Sequence, residues 1–484
     1  MPRTSIAMFD WLESRFRKRA YARVKLYIDG SYQAIPPERI LSVETEKDVD
    51  PLSRKLPEEK LSFTVLDLDG EYDPANPDGI WEKLDENTLV TVEFGFELTA
   101  TTGWMHGGEF VLDGKPSLSE GKASFTASGR IGRLNGIYYK GVYEEQTLYD
   151  MAEAVFEDAG ITGTYYYIDD CLEDYTTDAP LPIDTHCNLL QMIAHAGGCA
   201  LFMVGDVYHI ERIDFEGADY STDYINRDVD ILLNGDILSK NAPLYKVMEN
   251  LYHYVPDEDR TELYRATVTV DGLLRNYHCE FDAATEITVN AYSESGGADI
   301  GVRQIYASAL DCTVVGFGEV TIVVRGQKLS ATTDTAELIV SNDTSGGVDE
   351  EDNPLITTDD HRAEHMQLTA DYLSLRSTHT LMYRGNPSIQ PMDTLYVESP
   401  RGTVIGGLVL MSRITFDGTL GGSLIVKVLD EDERNSALLY DKNDDAVANN
   451  MGAEIACVGL TDYTSSYSYT EIDDFISEVL DDGS

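Results

Sequence analysis

Basic residues are scarce in this chain: 36 Lys and Arg stand against 86 Asp and Glu, for a formal net charge of -50. A surface of that sign repels nucleic-acid phosphates and acidic membranes, whose binding takes clustered Lys and Arg. Cysteine is sparse as well. The six residues, Cys171, Cys187, Cys199, Cys279, Cys312 and Cys457, form no Cys-x-x-Cys pair and no even framework over a short span. They read as reduced, buried thiols of a protein made in a reducing cytoplasm. The N-terminus lacks the apolar run of a signal peptide, and no stretch approaches the roughly 20 uninterrupted apolar residues of a membrane span. Catalytic and nucleotide signatures are missing too. Gly129-Arg-Ile-Gly-Arg-Leu-Asn-Gly136 has the wrong spacing for a dinucleotide fingerprint, and neither a Gly-x-x-x-x-Gly-Lys-[Ser/Thr] loop nor a Gly-x-Ser-x-Gly elbow occurs.

What the chain does have is aromatic and strand-forming material. Its 484 residues include 29 Tyr, 14 Phe and 3 Trp, and 42% are hydrophobic. Strongly acidic disordered chains lack such aromatics, so this one folds, and its length allows two to four domains. Residues 1–20 place Ile6, Phe9, Leu12 and Phe16 at helical spacing with a basic end at Arg15 to Arg19. That pattern reads as an amphipathic arm, either a solvated helix or a docking element on a neighbouring subunit. Alternation predicts strands at 22–28, ending on the Asp29-Gly30 turn, and at 61–66, 89–96, 109–112 and 122–128. Asp67 to Gly79, with two Pro and several Asp and Asn, predicts a long projecting loop. Strands at this spacing argue for a barrel or a sandwich.

Composition shifts at Gln146. Thr147 is placed to cap a helix with Leu148, Met151, Ala152, Val155 and Phe156 on one face and Gly160 as its stop. A second helix over 188–196 and strands at 200–204 and 207–212 complete an α/β insert. The expected organisation is therefore an arm at 1–20, a first β module at 21–142 completed by 205–245, and an α/β insert at 143–204. A second β module begins at 245–340. An acidic loop and helix at 341–380 precede its closing part at 381–435, and an acidic tail fills 436–484. The fold class is mainly β with α/β inserts. The last 44 residues hold eleven acids and one Lys, a tail that orders only on a partner.

Three constellations merit a chemical test. His361-Arg-Ala-Glu364-His365 matches the His-x-x-Glu-His arrangement of inverted zinc peptidases, with both imidazoles on one helix face. Against zinc, the motif falls in the first turn after Asp359 and Asp360, where a polar exposed face is expected, and no third ligand stands out. Asp67 to Gly79 has Tyr72 where a calcium loop needs Gly, and no closing Glu. The many tyrosines suit a carbohydrate-binding surface or cross-strand packing. No catalytic, cofactor-binding or metal-ligating residue is assigned, and no cofactor is expected.

Four segments together resemble the central hub proteins at the tail tip of tailed bacteriophages and prophages. They are Leu61 to Leu66 with Tyr72 to Gly79, Val90 to Gly95 and Gly108 to Leu112; Gly141 to Leu148 running into Ala159-Gly160-Ile161; Leu190 to Cys199; and the block from Asn353 to Ile356 through Tyr383-Arg-Gly-Asn-Pro387, Pro391-Met-Asp393 and Phe416-Asp-Gly-Thr-Leu420. The similarity spans about residues 20 to 430. It implies two tail-tube-like β-barrel modules per subunit, with small peripheral α/β domains. It further implies a homotrimer whose six barrels match a hexameric tube, and a structural role in the baseplate hub of a virion assembled in the bacterial cytoplasm. Implied partners are the tail tube or distal tail protein, the tape-measure protein and tail-fibre or receptor-binding proteins, with DNA passing through without specific binding. The 67–79 loop is implied as a contact with a neighbouring subunit or the tube. Some hubs of this family continue into a peptidase or fibre region; here only the acidic tail follows, so those tasks are expected of other proteins. The rival functions are a carbohydrate-binding tail adhesin and a zinc peptidase built on His361, Glu364 and His365.

Overall fold

The computed structural model describes residues 20–97, 102–213, 224–225, 231–293, 297–398 and 403–435. The arm expected over 1–20 (apart from Ala20) and the tail expected over 436–484 lie outside them. Among the described residues no helix is long and apolar enough to cross a membrane. The architecture is mainly β with three α-helices among those residues.

The first strand, Ala20–Ile28, buries Ala22, Val24, Leu26 and Ile28 on one face and turns back into Ser31–Ala34 through Asp29 and Gly30. Both turn residues have positive φ, 53° and 80°, the geometry of the two-residue hairpin turn whose twist matches its flanking strands. Strands from 20–129 continue in the order Ser31–Ala34, Ala20–Ile28, Leu89–Glu97, Thr102–Leu112, Lys122–Gly129, Glu58–Leu66, Ile40–Asp48. Ile40–Asp48 then pairs antiparallel with Thr403–Phe416, from Asp48 opposite Met411 to Val43 opposite Phe416. The ladder continues through Leu420–Asn435 and Ser377–Tyr383 to Ile231–Lys240, in a sheet of 14 strands. One core serves both strand groups: Phe63, Phe94, Phe110 and Phe125 pack in the same cluster as Leu381, Tyr383, Leu395, Val409 and Leu424. Charges zip the seam on its outer side, with Arg413 Nε donating to Glu46 at 2.8 Å.

Pairing departs from the expected domain bounds in two places. Ile231–Lys240, expected to complete the first module, lies on Ser377–Tyr383. Residues 245–340, expected to share a module with 381–435, pair among themselves and with Gly347–Glu351. The reason is the 23-residue strand Phe317–Ile339, whose first half holds Thr261–Asp271 and Ala284–Ser293 and whose second half holds Leu244–Pro256. A separate core of Val270, Leu310, Val314, Val320, Ile322 and Val324 fills that unit.

The expected loop at 67–79 presents Leu68, Asp69, residues 73–75 and residues 77–78 to solvent but is anchored at its middle. Tyr72 is only 2% exposed and sits edge-on to Phe125 with ring centroids 5.2 Å apart. Its backbone N–H is shared by the two Asp67 carboxylate oxygens, while Asp73 accepts from the N–H of Ala75. A lone aromatic in a polar loop gains more from burial than the loop gains from solvent.

The α/β unit follows its sequence closely. Helix α1 (Leu148–Asp158) buries Leu148, Met151, Ala152, Val155 and Phe156, its Thr147 cap accepts from the N–H of Asp150 at 3.0 Å, and Gly160 follows at φ 77°. Replacing Thr147 by Ala strands that N–H. A loss of about 1 kcal/mol is expected, measurable as a lower denaturation midpoint with an unchanged slope. Helix α2 (His186–Ala196) packs against α1 and the strands Cys199–Val204 and Val207–Arg212 in a second core. Helix α3 (Asp359–Ser374) lies against Leu244–Pro256.

Candidate functional site at the carboxyl end of helix α2

Titratable groups are most deeply buried where α2 ends. The cause is local sequence. Helix α2 is sheathed in apolar neighbours on nearly every side, so its last carbonyls point into protein rather than water and need donors from elsewhere. Those donors come from α3. His361 Nε2 reaches the carbonyl of Ala196 at 2.7 Å, and His365 Nε2 reaches that of His195 at 2.8 Å. The i, i+4 spacing that recommended the pair as zinc ligands instead sets two N–H groups one turn apart, matching two successive carbonyls of a helix end.

The expected exposure of this first turn is therefore overturned. His361, Arg362 and His365 are all buried, and the cap of α3 is Thr358, whose hydroxyl accepts from the N–H of His361. Arg362 ties the turn outward to the Asp334 carbonyl at 3.0 Å and to Asp359 at 2.6 Å. Glu364, the acid of the peptidase motif, points away to the hydroxyl of Tyr175 at 3.0 Å. Both Nε2 atoms are committed as donors, so the motif here is a helix clamp rather than a pair of lone pairs aimed at one centre.

The tautomers follow from the partners. His195 Nδ1 lies 3.0 Å from the amide nitrogen of Asn353, which donates; His195 therefore carries its proton on Nε2 and donates to Glu351 at 2.8 Å. Asn353 also donates to the Met192 carbonyl at 2.9 Å and accepts from the N–H of Leu355. His365 Nδ1 faces Glu249 Oε1 at 2.8 Å. Neither Glu249 oxygen has an aligned hydrogen bond among the described residues, so the contact is an ion pair held by distance and not by direction. Glu249 is fully buried, the middle of the inward-facing series Val247, Glu249, Leu251.

Charge is divided accordingly. Burial pushes His195 down to about 3, aided by the neighbouring His365, and pushes His361 down to about 4. Burial works against a charged His365 too, but Glu249, then Glu351, and the His195 carbonyl outweigh it and raise its pKa. Asp349 is raised to about 6 by burial and its contact with Glu351. Of the three histidines His365 is thus the one whose charged form is favoured, at the carboxyl end of α2, where the helix dipole also favours a cation. The segment before α2's partners closes the assembly: Arg54 donates to the Asp352 carbonyl at 2.6 Å, and Gln191 bonds the carbonyl of Ser53.

This junction gathers two of the four resemblance segments, Leu190 to Cys199 and the block opening at Asn353. It locks the α/β unit, the 244–351 strands and the connector after Ile40–Asp48 to one another. Glu249 and Glu351 went unremarked in the sequence, and His195 entered only as part of the Leu190 to Cys199 segment, with no role of its own. The signal for Glu249 was an acid at an inward strand position; Glu351 carries none. No group of three or more His, Cys, Asp or Glu residues set to hold a metal ion occurs among the described residues.

No family model matches the chain, and no curated protein matches it. Among solved structures, it is similar to a tail protein from Neisseria meningitidis, at 10% identity and a TM-score of 0.44, covering 85% of this chain and 98% of that one. It is also similar to a tail protein of a Shewanella oneidensis prophage, at 12% identity and TM-score 0.44, covering 85% and 99%. A prophage tail protein from Listeria monocytogenes is similar at 9% identity and TM-score 0.43, covering 88% and 99%.

Proposed function

We propose that the chain is a structural hub of a phage-type tail tip, a homotrimer whose ring joins a hexameric tube to the distal adhesion apparatus. The observation that carries this is the seam between Ile40–Asp48 and Thr403–Phe416. Two strand groups from opposite ends of the chain lie side by side in one sheet, in keeping with the two tube-like modules per subunit that the sequence resemblance implies. Both ends of the sheet are strands paired on one side only among the described residues, Ser31–Ala34 at one end and Ile231–Lys240 at the other. Two different edges, each paired on one side among the described residues, are suited to a head-to-tail surface, and such surfaces generate closed rings when the rotation per copy closes. Ile237 and Leu238, 66% and 48% exposed, give the second edge an apolar rim. The buried His junction then has a mechanical role: it holds the peripheral α/β and β units rigidly on the ring. The net charge of -50, carried three times in a trimer, favours a channel through which DNA and the tape-measure protein slide without adhering.

The test is the mass in solution. A trimer is expected by light scattering, and Ile237→Lys with Leu238→Lys is expected to shift it to monomers while the far-ultraviolet circular dichroism stays unchanged. A wild-type chain that is monomeric at all accessible concentrations overturns the proposal.

A further inference from the structure

The thiols of Cys171 and Cys199 touch, with their sulfurs 3.7 Å apart. We propose that they are a modification site: a peroxide-sensitive pair that closes to a disulfide and staples the start of the Cys199–Val204 strand to the short turn Asp170–Asp174. Both sulfurs are held by their surroundings. Asp169 caps the turn by accepting from the N–H of Cys171 at 2.9 Å, and its other oxygen accepts from the N–H of Arg212 at 3.2 Å. On the opposite side the Cys199 thiol points at the Gly197 carbonyl, 3.5 Å away. A Cβ at Gly197 would meet Leu172 at 3.1 Å, so turn and helix end are already packed as tightly as side chains allow. At 3.7 Å the sulfurs are already in van der Waals contact, so closing them to the roughly 2.05 Å of an S–S bond takes a further approach of less than about 2 Å.

Access and chemistry assign the roles. Cys171 is half-buried and Cys199 is buried, so the oxidant reaches Cys171 first. The Cys199 thiol is pushed well above its usual range by the neighbouring Cys171 and by burial, so it stays protonated and is not the thiol that meets peroxide; its contact with Cys171 at 3.7 Å places it to resolve the sulfenic acid formed there. The Cys171 thiolate attacks hydrogen peroxide: an S–O bond forms, the O–O bond breaks, and hydroxide leaves and is protonated to water. The Cys199 sulfur then attacks the Cys171 sulfur. The S–S bond forms, the S–O bond breaks, and hydroxide departs with the Cys199 proton as a second water. Two thiols are oxidised and one peroxide is reduced.

The other described cysteines provide the comparison. Cys279 stands opposite Leu310 and Cys312 opposite Tyr277 on adjoining strands, so the two are diagonal neighbours whose thiols also interact, across a cross-strand diagonal that is the wider of the two spans for a disulfide. Cys187 is turned to the Thr185 hydroxyl at 3.3 Å. The Cys171–Cys199 pair is the one expected to close first, because Cys171 is partly open to solvent whereas Cys279 and Cys312 are both buried. The loop it closes contains the whole of α2, and the stapled turn leads into Tyr175, whose ring lies 4.5 Å from that of His361. A bond here stiffens the same helix end that the histidines clamp, after the protein leaves a reducing compartment.

The experiment treats the full chain with hydrogen peroxide, alkylates remaining thiols under denaturing conditions and maps the peptides by mass. A cross-link between the Cys171 and Cys199 peptides, two hydrogens lighter and reversed by dithiothreitol, is expected, with Cys187, Cys279 and Cys312 alkylated. The melting temperature of the oxidised protein should rise by about 5 °C or more, and Cys171→Ser should abolish the rise. Alkylation of Cys171 and Cys199 after treatment, over-oxidation of Cys171 without a cross-link, or a preferred Cys279–Cys312 bond each overturns the proposal.

Discussion

Glu249→Ala should destabilise the junction around α2 by about 3–5 kcal/mol, the range for removing one partner of a buried ion pair. The variant leaves His365 at the end of α2 with its proton facing a cavity. His365 then either gives up the proton or carries an unpaired charge in a fully buried place, since Glu249 and His365 are 0% and 3% exposed. The double variant Glu249→Leu with His365→Leu removes charge on both sides and should cost far less than the sum of the single changes. Its remaining defect is the His195 carbonyl, which loses its donor. Hydrogen exchange at α2 and α3 amides, together with denaturant midpoints, checks both. A Glu249→Ala protein within 1 kcal/mol of wild type, the ordinary range of a net hydrogen bond, would show that the pair is not charged.

The same pair sets the pH dependence, and its sign follows from the direction of each shift. His365 is raised, so the stability it contributes is complete below the unfolded imidazole value of about 6.5 and is lost as pH rises through its folded value. His195 and His361, held down to about 3 and about 4, contribute stability that is complete above about 6.5 and falls away on acidification. Asp349, raised to about 6, and Glu351, also raised, act against the two neutral histidines in that acidic range. Their stability is present below the unfolded carboxyl values and is lost as pH rises. Above about 6.5 the two neutral histidines no longer titrate, whereas His365 and the raised carboxyls lose their protons as pH rises, so the junction should weaken toward alkaline pH. A pH series of midpoints should show that slope in wild type and a smaller one in the double variant.

How much of this was legible depended on where the informative side chain points. Helix α1 was readable down to each buried residue because its cap, apolar stripe and glycine stop agree. The Asp29-Gly30 hairpin was readable for the same reason: only a narrow set of residues accepts two positive φ values. Ile40–Asp48 was not read as a strand although it forms the seam. Its inward positions after Val43 are Thr45 and Lys47, so period-two alternation carries no hydrophobic contrast there. Lys47 is buried because it crosses the seam to Gln390 at 2.8 Å, with Glu59 at 3.8 Å, partners hundreds of residues away or on another strand. The histidine motif was found by spacing and misjudged by context. Its neighbours in sequence are acidic and polar, whereas its neighbours in space are the end of α2 and Glu249. Spacing along a helix says which groups act together; only the packing says on what.

Tyr72→Ala should be the costliest single change in the large sheet, about 3–5 kcal/mol by analogy with other buried aromatics, while Tyr72→Phe should cost less than about 1.5 kcal/mol as a volume-conserving swap. The ring closes an aromatic stack in which Phe125 lies on Phe63 at 4.5 Å, with Tyr72 edge-on to Phe125, and its loss opens the core shared by both strand groups. The effect reaches the loop as well. Residues 67–79 are pinned at three points: by Tyr72, by the Arg39 guanidinium on Asp69 and Glu71 at 2.6 and 2.7 Å, and by Asn76 on the Gly70 carbonyl at 2.8 Å. The Arg39 pairs are partly exposed and contribute little alone, so Tyr72 is the anchor. Without it the loop should leave the sheet and become cleavable, and limited proteolysis should cut between Asp67 and Gly79 in Tyr72→Ala but not in wild type or Tyr72→Phe. Protection of the loop in Tyr72→Ala would mean that the polar turn chemistry suffices.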